Sequence, residues 1–495
     1  MTASRILAID QGTTNTKVLL MGSDGAVVAH ASRPVETTFP QPGWVEQDAR
    51  GIWRTVVDAI DECLARAGGT QPDAIAVTNQ RESVLVWDRR TGVPAGPVVV
   101  WQCRRTAEAC DRLRAEGRAS LVTARTGLTI DPLFSATKAR WLLDRIPDGH
   151  ARAAAGDLRV GTIDSWIVWN LTGRAVHACD ATNASRTQLY SLASGQWDPD
   201  LLDLFGIPAA ALPDIRPSSG VIAQTTACGT LAAGVPVAAM IGDSHAALFG
   251  HAAFEPGAVK ATYGTGSSLM TPVPVRTDVA GLSSTVAWAL PGPVTLALEG
   301  NITDTGGAVE WVGRLLGADE PGRHVATLAV TVPHGSGTYL VPAFAGLGAP
   351  HWDARARAIV CGLTRGSGPA QLARAAIDSI AYQIGDVFAV MIDAIGSATP
   401  VLLADGGASR NDDLMQFQAD IIGAPIVRDA STDLSARGAA WMAGLATGVW
   451  RTLDDLRALP RSVDRFEPRM SAAARTPLIT GWREAVARAR MVVEV

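Results

Sequence analysis

The stretch ILAIDQGTTNTKVLLM, residues 6–21, decides the fold. Two apolar runs, Ile6–Ile9 and Val18–Met21, flank the polar turn DQGTTNTK at 10–17. Short apolar runs joined by a Gly/Thr/Asp turn read as strands of a hairpin or meander, with a third strand around Val27–Val28. Further on, Asp48 offers a helix N-cap ahead of Ile52, Trp53, Val56, Val57, Ile60 and Leu64, which recur at helical spacing. Strand-like runs at Ala74–Thr78, Val84–Trp87 and Val98–Trp101 then alternate with helical stretches. That order argues for an α/β layered architecture.

The second half repeats the theme. Val235–Ile241 reads as a strand ending in Gly242–Asp243, and Val259–Tyr263, GTGSS, Leu269–Val273 reads as strand, turn, strand. A strand at Val401–Ala404 runs into DGGASRND, followed by a helical stretch, Leu414–Ile422. This internal echo predicts two related domains, residues 1–247 and 248–495, connected closely because no Pro/Ser linker separates them.

Bulk properties narrow the function. At 495 residues the chain exceeds what one core usually fills. With 47% hydrophobic and 18% charged residues and a net charge of −5, it has no basic block to suggest a nucleic-acid partner. Only Lys17, Lys138 and Lys260 are lysines among 43 basic residues, so each lysine position draws attention. The six cysteines show no Cys-x-x-Cys pairing and read as reduced and mostly buried. The apolar stretch in MTASRILAID is too short for a signal peptide, and no run of about 18 apolar residues suggests a membrane span. A cytoplasmic protein is expected.

A Gly/Thr turn between strands exposes N–H groups and hydroxyls that suit phosphate oxygens. Lys17 adds a cation to the first turn, and Asp10 supplies a hard oxygen suited to Mg²⁺ or its water. GTGSS at 264–268 makes a second such surface, and DGG at 405–407 lets backbone approach a third ligand part, such as a nucleoside. Each alone also reads as a plain tight turn; three at predicted strand ends point to nucleotide binding. None matches a Walker A loop or a Rossmann fingerprint.

The chain resembles the FGGY carbohydrate kinase family and, within it, glycerol kinases. The resemblance rests on DQGTTNTK (10–17), PGWVEQD (42–48), TNQRES (78–83), VVWQCRRTAE (99–108), DPLFSATKARW (131–141) and DATNASRT (180–187). It continues through GDSHAALFG (242–250), TYGTGSS (262–268), PAFAGLGAPHWDARARA (342–358), LTRG (363–366) and DGGASRNDDLMQFQADIIG (405–423). It implies a two-domain, actin-like and hexokinase-like ATPase fold of ribonuclease H type, with ATP and a polyol meeting in an interdomain cleft. It also implies roles. Thr13, Thr14, Asn15 and Lys17 would hold phosphates; Thr265, Gly306, Glu310, Gly407 and Asn411 would contact nucleotide. Asp10 and Asp243 would lie near Mg²⁺, with Asp243 the catalytic base. Arg81, Glu82 and Trp101 would face the polyol.

Local chemistry leaves rival readings open for several of these. Asp243 precedes a helical stretch and could be an N-cap, Arg81–Glu82 could be an exposed ion pair, and Trp101 could be plain core. His245 could serve the pocket, or simply pack or cap.

The departures from the family pattern gather in the polyol pocket. Leu133 stands in place of a tyrosine, Ser244 of a glutamine and Ser268 of a phenylalanine. Lys17 replaces an arginine, and Glu310 a glutamine. The pocket changes remove bulk and polar reach, predicting a substrate longer than glycerol, such as a four- or five-carbon polyol, beside glycerol itself. The stretch TTACGTLAAGVPV (225–237) lacks the Lys and Arg that some relatives use for fructose bisphosphate control, so that control is expected to be absent. The resemblance allows a homodimer or homotetramer. The alternatives are an FGGY kinase for a ketopentose, sugar acid or linear tetraol, and a non-catalytic actin-like ATP-binding module.

Overall fold

The computed structural model describes residues 4–491. The first three residues of the N-terminal stretch weighed against a signal peptide lie outside that range. The fold is mixed α/β and divides into two compact units. One takes the chain up to Phe254 together with Ser284–Ala297 and Asp433–Pro460; the other takes Glu255–Ser283, Leu298–Thr432 and the chain from Arg461 on.

In the first unit the expected hairpin forms. Strands Arg5–Gln11 and Asn15–Gly22 pair antiparallel, and Val27–Pro34 follows as the third strand. Ala74–Asn79 joins Arg5–Gln11 in parallel, and Pro236–Gly242 joins Ala74–Asn79 in parallel. The register sets Asp10 beside Thr78 and Asn79 beside Gly242. Three parallel strands therefore end together, and Asp10 and Asp243 share that carboxyl edge, where open α/β sheets hold their ligands.

Burial explains why these strands are so apolar: the sheet is covered on both faces. Helix Ala49–Arg66 starts at Asp48, whose side chain accepts from the N–H groups of Arg50 and Gly51. It packs Ile52, Val56, Ile60 and Leu64 against Leu7, Ile9, Val18 and Leu20. On the other side lies helix Leu434–Thr447, which docks tightly because it is glycine-bearing: a side chain at Gly438 would run into the Ala246 carbonyl. Arg437 adds two bonds to the Gly250 carbonyl, at 3.2 and 2.8 Å, at the end of helix Asp243–Gly250. The strand expected over Val98–Trp101 is shorter, Val98–Val99, because the chain turns at Trp101 to present its indole.

The second unit repeats the hairpin-plus-parallel-strand unit. Ala258–Tyr263 and Ser267–Val273 pair antiparallel, and Val401–Asp405 joins the former in parallel with Thr262 beside Asp405. Ile426–Asp429 and Val463–Phe466 extend this sheet. Among the described residues one helix, Pro369–Ile395, is long and apolar enough to cross a membrane by length and composition. Its most apolar window is 72% buried inside the protein, as befits a core helix. The six cysteines are free, and Cys63, Cys103, Cys110 and Cys179 are buried.

Candidate active site

The turn after Asp10 is prepared for anions by having its carbonyls taken up from within. The Gly12 oxygen accepts from Gln11 Nε2 at 2.8 Å, the Thr13 oxygen from Gln47 Nε2 at 2.7 Å and the Thr14 oxygen from Val35 N at 2.8 Å. The Asn15 oxygen accepts from Gly12 N at 2.9 Å. Tying back these partial negative charges removes what would repel a phosphate. Lys17 Nζ, on the next strand, lies 2.9 Å from Asp433 Oδ1, with both side chains part-exposed. Asp433 is a residue that sequence reasoning missed. Neither its local pattern nor its distance along the chain signals it; only the docking of helix Leu434–Thr447 brings it here.

Asp10 sits across the hairpin from Lys17. Burial pushes its carboxyl up to about 7; Lys17 opposes this, while the charges of Asp243 and Asp433 add to it. The carboxylates of Asp10, Asp243 and Asp433 thus gather at this pole with the cations of Lys17 and Arg81. Among the described residues no three His, Cys, Asp or Glu side chains converge as a metal-ligand set. Asp10 with Asp243 suits Mg²⁺, which keeps several waters and needs few carboxylates.

Asp243 is the first residue of helix Asp243–Gly250, and the cap position belongs to Gly242, which has no side chain to cap with. Its Oδ1 accepts from Ser244 N at 2.6 Å and stands 3.2 Å from Arg81 Nε. Arg81 and Glu82 are 7% and 4% exposed, so the exposed-ion-pair reading is wrong. Glu82 holds a left-handed backbone, φ 61, unusual for a residue with a side chain. Its Oε1 accepts from Arg186 Nε at 2.6 Å and lies 4.0 Å from Arg81 Nη1. Trp101 is not plain core: its Nε1 donates to Thr13 Oγ1 at 2.9 Å, tying the indole to the turn after Asp10. Leu133 is half-buried, and its carbonyl accepts from the buried Lys138 Nζ at 2.7 Å. Burial holds the Lys138 ammonium down to about 8, with Glu82 opposing. His245 is fully buried beneath the helix start, and Ser244 is part-exposed beside Asp243.

In the second unit, Thr265 stands exposed at the tip of its hairpin turn. Helix Gly306–Leu315 rests on that turn: Gly306 N donates to the Gly264 carbonyl at 3.0 Å, and Gly307 N to the Thr265 carbonyl at 2.9 Å. Gly306 must be glycine for this approach, since a Cβ there would lie 2.6 Å from the Gly264 oxygen. Of the Gly406–Gly407 pair, Gly406 (φ 93) is pressed against the Tyr263 backbone, whereas Gly407 faces open space where a ligand can approach. Asn411 caps helix Asp412–Ile422, its Oδ1 accepting from Leu414 N at 3.2 Å. Glu310 is exposed, with its carboxylate over Gly322 in the first turn of helix Pro321–Ala329, where a negative charge is favoured without any ligand. Ser268 Oγ donates to the buried Glu299 at 3.2 Å.

Comparison with known proteins places the chain among carbohydrate kinases. The N-terminal domain model of the FGGY family of carbohydrate kinases matches residues 5–250, and the C-terminal domain model matches 259–447. An apulose kinase of Pectobacterium atrosepticum is 46% identical over 489 residues, 98% of each chain. A glycerol kinase of Burkholderia ambifaria is 46% identical over 492 residues, again 98% of each. Among solved structures, Plasmodium falciparum glycerol kinase with ADP superposes with a TM-score of 0.92 at 30% identity, over 99% of both chains.

Proposed function

The chain belongs to the FGGY family of carbohydrate kinases, phosphorylating a hydroxyl of a polyol or sugar, and we propose that Asp243 is its general base and ATP with Mg²⁺ its phosphoryl donor. The observation that carries this reading is the joined pair of carboxylates: Arg81 reaches Asp243 at 3.2 Å while Glu82, the next residue, is turned back and buried.

MgATP supplies an electrophilic phosphoryl group whose charge the metal shares. The chain's own residues do the rest. Arg81 and Glu82 grip neighbouring hydroxyls by charge-assisted hydrogen bonds, and Trp101 walls the carbon chain. Ser244 N–H and Arg81 fix Asp243 Oδ1. The Asp243 carboxylate accepts the hydroxyl proton as the new O–P bond forms and the bond from that phosphorus to the departing ADP oxygen breaks. Thr13, Thr14, Asn15 and Lys17 would hold phosphate oxygens, and Asp10 with Asp243 would hold the cation. Thr265, Gly306, Gly407 and Asn411 receive the nucleotide. Glu310 is the weakest member of that set, because the helix start beneath it accounts for its position.

For the acceptor we propose a molecule longer than glycerol, a four- or five-carbon polyol or ketopentose. Identity to glycerol kinases and to an apulose kinase is equal at 46%, so whole-chain similarity does not separate them. Residues do. Leu133 offers no phenol, Ser244 no amide, and Ser268 with the buried Glu299 forms a polar pair suited to a further hydroxyl. An ADP-release screen over glycerol, erythritol, threitol, the pentitols and ketopentoses tests this: a longer acceptor wins if the reading holds, and glycerol by a wide margin overturns it. ATP turnover indifferent to every acceptor would favour the non-catalytic module. A cytoplasmic homodimer or homotetramer without nucleic-acid or membrane partners completes the proposal, and light scattering tests the assembly.

A further inference from the structure

We propose that Arg186, in the segment DATNASRT at 180–187, is a positioning residue that sets acceptor binding by holding Glu82 and so reserving Arg81 for Asp243. The proposal rests on the reading of Glu82 as an acceptor contact.

Segment 180–187 bonds to the stretches that carry Arg81 and Glu82, Leu133 and Asp243. Its short helix Ala181–Ala184 is capped by Asp180, whose side chain accepts from Thr182 N and Asn183 N. Asn183 and Asn79 exchange two side-chain amide bonds, at 3.0 and 3.1 Å, just before the Arg81–Glu82 turn. Thr182 Oγ1 accepts from Gly242 N at 2.8 Å, one residue before Asp243. The Thr187 carbonyl accepts from Ala136 N at 2.9 Å, three residues beyond Leu133. Arg186 itself is fully buried, with its guanidinium 5.0 Å over the Phe134 ring.

Charge makes Arg186 more than a packing element. Glu82 is 4% exposed, and a buried carboxylate without a close cation is costly. Two arginines are near it. Arg186 Nε donates at 2.6 Å, whereas Arg81 Nη1 is at 4.0 Å and Arg81 Nε faces Asp243 at 3.2 Å. Of these two carboxylates, Arg186 thus lies against Glu82 and Arg81 lies nearer Asp243. Removing Arg186 leaves Arg81 and the buried Lys138 as the cations facing Glu82, and draws Arg81 from its place beside Asp243. Ser135 Oγ, donating to the Glu82 carbonyl at 2.9 Å, keeps the left-handed turn in place meanwhile.

The test measures acceptor KM, kcat, ADP affinity by calorimetry and thermal unfolding for R186K, E82Q and the double variant. R186K keeps the charge but loses the planar Nε geometry. We expect acceptor KM to rise about tenfold or more, with ADP affinity within about twofold of wild type. E82Q is expected to raise acceptor KM comparably, and the double variant to be no worse than the poorer single one. An unchanged acceptor KM in E82Q overturns the reading of Glu82. A raised KM in E82Q with an unchanged KM in R186K, or effects that multiply in the double variant, overturns the role of Arg186. Should R186K fail to fold, E82Q/R186Q, which removes both charges, decides: an acceptor KM equal to that of E82Q supports the pairing, and a further tenfold rise contradicts it.

Discussion

Replacing Gly242 by alanine tests how closely the base and the acceptor clamp are joined. The backbone there, φ −63 and ψ 147, is open to any residue, so the variant carries no conformational penalty. The new methyl, however, would stand 2.7 Å from both Cγ and Cδ of Arg81 and 3.0 Å from His245 Nδ1. Ordinary contact begins near 3.4 Å, so Arg81 must shift by roughly 0.7–1 Å. It cannot swing into solvent, because the residue is 7% exposed. Overpacking of this kind costs about 1–3 kcal/mol of stability. A displacement of about 1 Å in a positioning group costs about a hundredfold in rate. Steady-state kinetics with the best acceptor, alongside thermal unfolding, should therefore show kcat/KM down by about two orders of magnitude and only a modest loss of stability. In an R81A background the added alanine should do little more, since the group it displaces is gone. A folded G242A enzyme within threefold of wild type, or one equally harmful with and without Arg81, would refute the reasoning.

Other consequences are as specific. G306A drives a Cβ to 2.6 Å from the Gly264 carbonyl, so calorimetric ADP affinity should fall about tenfold while acceptor binding in the absence of nucleotide stays unchanged. His177 is held down to about 3, chiefly by burial and then by Arg159, so it stays neutral in the fold. The unfolded chain takes up that proton below about 6.5, and stability is lost as pH falls from there towards 3. For a largely buried group this amounts to about 1–2 kcal/mol at pH 5, and H177Q should flatten the loss in urea titrations between pH 7 and 5. The triple variant L133Y/S244Q/S268F should move acceptor preference towards glycerol by about tenfold or more in kcat/KM ratio.

Much of this site is legible along the chain because it lies at strand ends. The apolar runs Ile6–Ile9 and Val18–Met21 announce the hairpin, and its turn lies between them. The N-cap at Asp48 and the helical spacing after it give helix Ala49–Arg66, since both signals are local. None of the three lysines is a plain surface charge: Lys17 pairs with Asp433 at the end of the first hairpin, while Lys138 and Lys260 are fully buried. What stayed hidden depends on chain paths that periodicity does not encode. Asp433 reaches Lys17 from 416 residues away, and Arg186 reaches Glu82 from 104. The buried state of Arg81 and Glu82 was equally hidden, because charge in sequence reads as surface until tertiary packing supplies a partner.

The most direct test of the account is D243N, compared with wild type for ADP release with the best acceptor and for ADP affinity by calorimetry. Asparagine keeps the shape and the hydrogen bond from Ser244 but cannot take a proton. Loss of general-base help predicts a fall in kcat of about 10²–10⁴ with ADP affinity within about threefold. A folded D243N enzyme retaining more than about a tenth of the wild-type rate would contradict Asp243 as the base.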